Sequence, residues 1–360
     1  MAEIPTVPGT LASAAESEPY RRRVEQLTGS IKNGFPGSQP VSFTKKQSMP
    51  ELLSTDYLVC EKSDGMRVLL LLVGSGPGGL APAAFCITRR NEYYELPRSV
   101  VPQKLGGDVT LMDAELVSDL LDDGRRAVRL LAFDLLAVGG VSCMQKPLPE
   151  RLAQLEHRVV ALFAAEARTA TGDMPFEVQL KTFYRSYEAA RIYREVIPVL
   201  GHESDGLIFT SCPAPYTMGT CDKIIKWKPA SENSVDFLAR VVEIPGRPAP
   251  QVHLYVWNGK ARQEYYSMLA MRDEDWTERL CKLGIHNAVV EVAYDPAYHP
   301  PAKWRFMRVR GDKANGNHAS VVARINDSIK DGVELDELVD AMADVKENWQ
   351  QRSNKKAADS

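Results

Sequence analysis

The chain has 360 residues, long enough for more than one domain. Its 44% hydrophobic and 25% charged residues, with 8% aromatics, mark a folded globular protein rather than a disordered or fibrous one. With 44 basic and 47 acidic side chains the net charge is −3, which excludes coating nucleic acid by bulk charge and makes any phosphate site local.

The first residues, MAEIPTVPGTLASAAESEP, lack the basic start and apolar stretch of a signal peptide. No run reaches the roughly 18 apolar residues of a membrane span, so an intracellular protein is expected. The six cysteines, at 60, 86, 143, 212, 221 and 281, have neither C-x-x-C pairing nor zinc-ligand spacing and read as reduced packing thiols. Residues 1–18, rich in Pro, Ala, Ser and Thr, read as a flexible tail, and a helical stretch follows near 19–28. FPGSQPVSF, at 35–43, carries too many Pro and Gly for a regular element and reads as an ordered loop.

A strand pair is expected from Tyr57, where YLVCEKSDGMRVLLLL resumes its apolar run after a charged break. Beyond it, strands such as VRLLAFDLLAV (128–138) and GLIFT (206–210) mix with helical stretches such as PLPERLAQLEHRVVALFAAEA (147–167). This gives an α+β first domain over 19–232. From 233 to 324 the texture changes to short strands: SVDFLARVVEI, then VHLYVWNGKARQEYY with its Asn258-Gly259 hairpin signal, then NAVVEVAY and WRFMRVR. One helix, 273–284, interrupts them, with Asp273 placed to cap it and Gly284 to end it, which is the pattern of a β-barrel OB-fold. A last helix over 325–350 puts Leu335, Leu338, Val339, Met342, Val345 and Trp349 on one face, and 351–360 reads as a tail. Lys355-Lys356 is too short a basic run to be a nuclear signal.

Lys62 lies inside the charged break. An unpaired ammonium between apolar strands is costly, so a pocket should open there. A partly desolvated lysine near other cations such as Arg67 can lose its proton close to neutral pH and attack an electrophile. K-x-D-G alone also fits a hairpin with a polar tip. The chain continues, however, with LMDAELV, LLAFDLL, SDGLIFT, IKWKP and WRFMRVRGDK in order.

In this series the sequence resembles the mRNA capping enzymes, the GTP:RNA guanylyltransferases, in the fungal form where this activity is a separate polypeptide; the resemblance covers about 35–325. It implies a ligase-like covalent nucleotidyltransferase domain of antiparallel sheets and helices, an OB-fold domain, and a last helix packing back on the first. It implies that Lys62 attacks the α-phosphate of GTP and holds GMP through a phosphoamide bond. Arg67 is implied at ribose and phosphate, Glu115 at ribose or metal, Phe133 stacked on guanine, and Lys181 in the nucleotide pocket. Asp205 would sit near the α-phosphate and its divalent cation, Mg²⁺ or Mn²⁺, and Lys226 and Lys228 on the triphosphate. Asp236, Arg308, Arg310, Asp312 and Lys313 would belong to the barrel's contribution, Arg310 and Lys313 meeting the β- and γ-phosphates as the barrel closes over GTP.

Alternation independently puts Asp113 with Glu115, and Lys226 with Lys228, on common strand faces. The 5′-diphosphate end of RNA would then attack Lys62-GMP to form the GpppN cap. With no phosphatase motif before residue 35, the resemblance implies a separate RNA 5′-triphosphatase subunit, coupling to the phosphorylated C-terminal domain of RNA polymerase II, and a nuclear location. Ala114 and Gly316 depart from the family's usual Gly and Pro. An ATP-dependent polynucleotide ligase would share Lys62, Glu115, Asp205 and the paired lysines but not FPGSQPVS, IKWKP or the last motif. A catalytically inactive binding module is disfavoured because every chemical residue is intact.

Overall fold

The computed structural model describes residues 5–29, 34–76, 79–105, 109–166, 174–229, 232–260, 262–295, 302–311 and 313–358. They divide into two compact units: Met1–Ser42, Pro50–Trp227 and Val339–Ser360 form the first, and Phe43–Met49 with Lys228–Leu338 the second.

Two sheets build the first unit. In the larger, β1 (Thr10–Leu11), β4 (Met66–Val73), β5 (Ala83–Thr88), β6 (Tyr93–Leu96), β7 (Val109–Leu120), β8 (Arg126–Val138) and β10 (Glu177–Leu180) run in the order β1-β6-β5-β4-β7-β8-β10, with β9 (Val141–Ser142) beside β8. The smaller orders β2 (Ser38–Ser42), β3 (Tyr57–Ser63), β11 (Tyr184–Arg185), β12 (Ser204–Ser211) and β13 (Gly219–Trp227) as β11-β3-β12-β13-β2. Most pairs are antiparallel; β10 with β8 and β13 with β2 are parallel.

The continuous apolar run of β4 has a simple cause, since both of its faces are covered. Val68, Leu70 and Leu72 pack with Met112, Leu116 and the helical residues Leu148, Leu152, Leu155, Val159 and Phe163. Leu69, Leu71 and Val73 pack with Phe85, Ile87, Tyr93 and Val24. A strand buried on both sides loses its polar alternation.

β3 and β4 do not pair with each other, so the expected strand pair is not one and the alternative of a polar-tipped hairpin does not hold. β3 pairs with β11 and β12, β4 with β5 and β7, so the chain changes sheets at Asp64-Gly65. Gly65 is required there, because a Cβ on it would lie 2.3 Å from the Leu116 carbonyl oxygen. Asp64 N–H donates to the Glu203 carbonyl at 2.8 Å, tying the crossing to the start of β12.

The amino-terminal tail expected to 18 is instead structured from β1. A capping box, with Glu16 N–H on the Ser13 hydroxyl and Ser13 N–H on the Glu16 carboxylate, starts helix α1 at Ala14 and carries it through Pro19 to Thr28. β2 occupies part of the stretch read as a loop, its Pro and Gly tolerated at the sheet edge.

In the second unit β14 (Ser234–Val242), β15 (Gln251–Trp257), β16 (Gln263–Ala270), β17 (Val289–Tyr294) and β18 (Trp304–Val309) close a barrel in the order β14-β15-β16-β18-β17, the expected OB-type architecture. Phe237, Leu254, Val290, Val292 and Phe306 fill it. The interrupting helix is short, Asp273–Glu278, and its start is closed by Asp275 accepting Arg272 N–H at 2.8 Å rather than by Asp273. The single carboxy-terminal helix expected from 325 is two. Ala319–Lys330 places Val322, Ile325 and Ile329 on the barrel core, and Leu335–Ala358 runs on through the residues read as a tail. From Val339 that last helix belongs to the first unit, where Trp349 meets Tyr187 edge-on at 5.8 Å and Arg352 Nε reaches Asp56 at 2.7 Å.

Gly65→Ala should lower the unfolding free energy by about 1–3 kcal/mol, the usual cost of overpacking, as measured by urea denaturation. An unchanged midpoint would refute the close approach.

Candidate active site

The crossing at Asp64-Gly65 leaves a cleft of about 920 Å³ within the first unit, lined from both sheets. Lys62, Arg67, Glu115, Phe133, Lys181 and Lys226 all line it, as the sequence places them. Its volume is that of a small-ligand or nucleotide site.

Two β-bulges aim the side chains. β12 pairs Ser204 with Ser63 and Leu207 with Glu61, so Asp205 and Gly206 together face Lys62. The bulge brings the Asp205 carboxylate into contact with Lys62 Nζ. Likewise β7 pairs Asp113 with Asp134 and Ala114 with Ala132, leaving Phe133 out of register on β8. A Phe that strand pattern alone would bury is thereby part-exposed in the cleft.

Arg67 lies behind Phe133, its guanidinium 5.6 Å from that ring and 5.4 Å from the Phe35 ring. It is fixed by a bidentate pair, Nε and Nη2 donating to Asp113 at 2.9 and 2.6 Å. Asp113 is fully buried and also accepts the Tyr216 hydroxyl at 2.5 Å. Burial alone would lower the Arg67 pKa, but the Asp113 carboxylate outweighs it and the guanidinium is held charged. Next to this pair, buried Arg151 clasps Asp134 at 2.6 and 2.9 Å.

Lys181 is buried, its Nζ donating to Ser63 Oγ at 2.7 Å and lying 3.0 Å from Glu61. Burial pulls its pKa down, but Glu61, Cys60 and Glu115 hold it above the ordinary lysine value. Burial pushes the Glu115 carboxyl up, with Lys181 and Arg67 opposing. Lys226 sits exposed on β13 opposite Ile208, whereas Lys228 lies past the strand end and its Nζ donates to the Glu232 carbonyl at 3.3 Å. Only Lys226 of the two lines the cleft.

Other residues that line the cleft lie outside the motif series. Thr6 and Val7 come from the supposed tail, and Arg89 and Arg90 from the β5–β6 turn, where Asn91 takes a positive φ of 59°. The adjacent basic pair in ITRRN was the available signal for these last two.

The barrel residues form their own cluster. Asp236, buried on β14, accepts Arg310 Nη1 at 3.3 Å and contacts Lys313 Nζ. Arg308 Nε donates to Glu291 at 2.6 Å, and burial, which would raise the Glu291 pKa, is outweighed by Ser234 and Arg308. Asp312 falls outside the described residues. Gly316, a departure from the family pattern, has a physical reason here: a Cβ on it would lie 2.7 Å from the Asp236 carbonyl oxygen. Among the described residues no three His, Cys, Asp or Glu side chains gather into a metal cage.

A lysine presented at a sheet crossing beside an aspartate, in a nucleotide-sized cleft, followed in the chain by a five-stranded barrel, is an arrangement suited to nucleotidyl transfer. The family model for the catalytic domain of mRNA capping enzymes matches residues 2–230, and that for their C-terminal domain residues 232–339. Curated relatives agree. The mRNA-capping enzyme subunit alpha of Neurospora crassa is 35% identical over 97% of this chain and 94% of its own length. Those of Schizosaccharomyces pombe and Saccharomyces cerevisiae are 32% and 33% identical, over 96% and 97% of this chain and 89% and 87% of theirs. The chain belongs to the mRNA capping enzyme family.

Removing Arg67 strands a buried carboxylate. Arg67→Ala should cost about 3–5 kcal/mol of stability in urea unfolding, with partial recovery in the Arg67→Ala, Asp113→Asn double variant. A fully stable single variant would show that Asp113 does not depend on the pair.

Proposed function

We propose that this chain is the GTP:RNA guanylyltransferase of a capping apparatus, with Lys62 as nucleophile. The observation that carries the reading is the contact of cleft-lining Lys62 with Asp205, set by a bulge in β12, beside further cations that line the same cleft. The Lys62 ammonium, part-exposed and in contact with the Asp205 carboxylate, gives a proton to solvent. The freed lone pair attacks the α-phosphorus of GTP, forming the N–P bond as pyrophosphate leaves. A terminal oxygen of a 5′-diphosphate RNA then attacks that phosphorus, forming GpppN and returning the electron pair to Lys62.

Neither step needs redox chemistry, so catalysis is positioning and charge neutralisation. Phe133 offers its face to the guanine, backed by the Arg67 guanidinium, and Lys181 and Lys226 receive phosphate or base oxygens. Arg310 and Lys313 act on the β- and γ-phosphates during adduct formation, with Asp236 holding both between turnovers and Arg308, Asp312 and Lys228 adding to the phosphate-binding charge.

Mg²⁺ or Mn²⁺ fits the donor set, being a hard ion commonly held by one or two carboxylates plus substrate phosphates and water. Asp205 would hold it. Glu115, whose buried carboxyl is pushed towards its neutral form, is the weaker ligand. When bound, the ion would neutralise developing phosphate charge.

The relatives are named as alpha subunits, which supports a separate RNA 5′-triphosphatase subunit as partner. The reading extends to the nucleus and to the phosphorylated C-terminal domain of RNA polymerase II as recruiting surface. No described helix is long and apolar enough to cross a membrane.

Incubation with α-labelled GTP and Mg²⁺ should give a covalent protein–GMP adduct that Lys62→Ala abolishes. Labelling by ATP alone would indicate a ligase, and labelling by neither a binding module. Arg310→Ala should slow adduct formation by about tenfold or more, as loss of a transition-state phosphate contact does; a normal rate would remove Arg310 from the reaction.

A further inference from the structure

Beside the cleft a row of buried ionisable groups connects the two sheets. His202, in the loop leading to β12, has a side chain only 6% exposed and is not among the cleft-lining residues. Its Nδ1 faces Asp119 Oδ1 of β7 at 2.5 Å, and Asp119 is in turn contacted by Arg129 of β8. Its Nε2 lies 3.2 Å from Ser63 Oγ and 3.8 Å from Glu61, both on β3. Ser63 and Glu61 flank Lys62 in sequence, and both contact the Lys181 ammonium.

Hydrogen counting fixes the charge state of the ring. Ser63 Oγ lies 3.1 Å from Glu61, 2.7 Å from Lys181 and 3.2 Å from His202. A hydroxyl has one hydrogen and two lone pairs, and an ionised carboxylate only accepts. The Ser63 hydrogen therefore goes to Glu61, and both lone pairs accept, from Lys181 and from His202 Nε2–H. On the other side Asp119 also only accepts, so Nδ1 carries a hydrogen as well. Both nitrogens are protonated. Burial pulls the His202 pKa down, but Glu61 and Asp119 hold it above the ordinary value, consistent with this count. The charges alternate from Arg129 through Asp119, His202 and Glu61 to Lys181.

We propose that His202, held as an imidazolium, is a positioning residue that fixes the Lys181 ammonium in the nucleotide cleft through Ser63 and Glu61. It does not touch substrate. It makes the Ser63 hydroxyl an acceptor for Lys181 with its own hydrogen committed to Glu61, so that Lys181 has one orientation before GTP arrives. Without the Nε2–H, Ser63 is free to rotate, and Lys181 and Glu61 can re-pair away from the cleft. The backbone beside His202 is anchored to β7, which holds the ring in place. Leu120 N–H donates to the Gly201 carbonyl at 2.8 Å, and a Cβ on Gly201 would lie 2.8 Å from the Leu120 carbonyl oxygen.

The inference rests on the reading that the cleft takes GTP, and a double-variant cycle on adduct formation tests it separately. For the full chain with Mg²⁺ and α-labelled GTP, His202→Gln, which can donate to only one of the two sides, should raise the half-saturating GTP concentration about tenfold, the worth of one charge-assisted hydrogen bond. The maximal adduct rate should stay within about twofold of wild type, because no reacting atom loses a contact. In a Lys181→Ala background the same substitution should have no further effect.

His202→Phe serves as the donor-free variant, and thermal melting of each variant checks folding. If either unfolds, wild type alone still decides. Its half-saturating GTP should rise as pH climbs through the raised His202 pKa, since the imidazolium is present below that value and lost above it. Asp119, Arg129, Glu61 and Lys181 are the other charged groups bearing on the ring. Multiplying effects of the two substitutions, a fall in maximal rate with unchanged half-saturation, or a flat pH dependence in wild type would each overturn the proposal. Absence of any wild-type adduct would instead overturn the reading on which it rests.

Discussion

One crossing organises the catalytic unit. At Asp64-Gly65 the chain leaves one sheet and enters the other, and the backbone passes so close to Leu116 that no side chain fits at Gly65. A hairpin at this point would have put Lys62 on a surface turn. Because the strands instead diverge into separate sheets, the space they open becomes the cleft, and Lys62, one residue before the end of β3, lines it. The Asp64 link to Glu203 and the bulge at Asp205-Gly206 then align β12 with that crossing, which brings the Asp205 carboxylate onto Lys62.

Several cations already have carboxylates: in the cleft Lys62 with Asp205, Arg67 with Asp113 and Lys181 with Glu61, and in the barrel unit Arg310 and Lys313 with Asp236. Buried or half-buried charge without a partner is costly, so the pairs let a protein of net charge −3 store local positive charge without substrate. The pairs are not equivalent. Arg67 is gripped at two nitrogens by a fully buried aspartate and stays as part of the wall, whereas Lys62 and Lys313 are more exposed and each meets its carboxylate through its one nitrogen.

Much of this was legible in the sequence, and the rest failed for identifiable reasons. Lys62, Glu115, Phe133, Lys181 and Lys226 were picked out by the motif series, and all line the cleft. The barrel was legible from its short strands and Asn-Gly turn. The change of sheet was not, because a strand followed by Asp-Gly and another strand reads the same whether or not the two strands pair. Arg67 and Asp113 are diagonal neighbours across β4 and β7, a pairing that needs the register. His202 carried no local signal, since its partners come from separate strands. Composition misled at both ends: the Pro and Ser of residues 1–18 hid a capping box, and the polar final residues continue a helix whose exposed faces need no apolar side chains.

The first dozen residues matter for how the boundaries of this enzyme are drawn. Thr6 and Val7 form part of the cleft wall and β1 extends the large sheet by pairing with β6, so a truncation that begins at the first helix would remove both. The unit that handles nucleotide therefore begins well before its first long strand. A cut placed between Thr6 and Leu11 acts on the cleft wall itself.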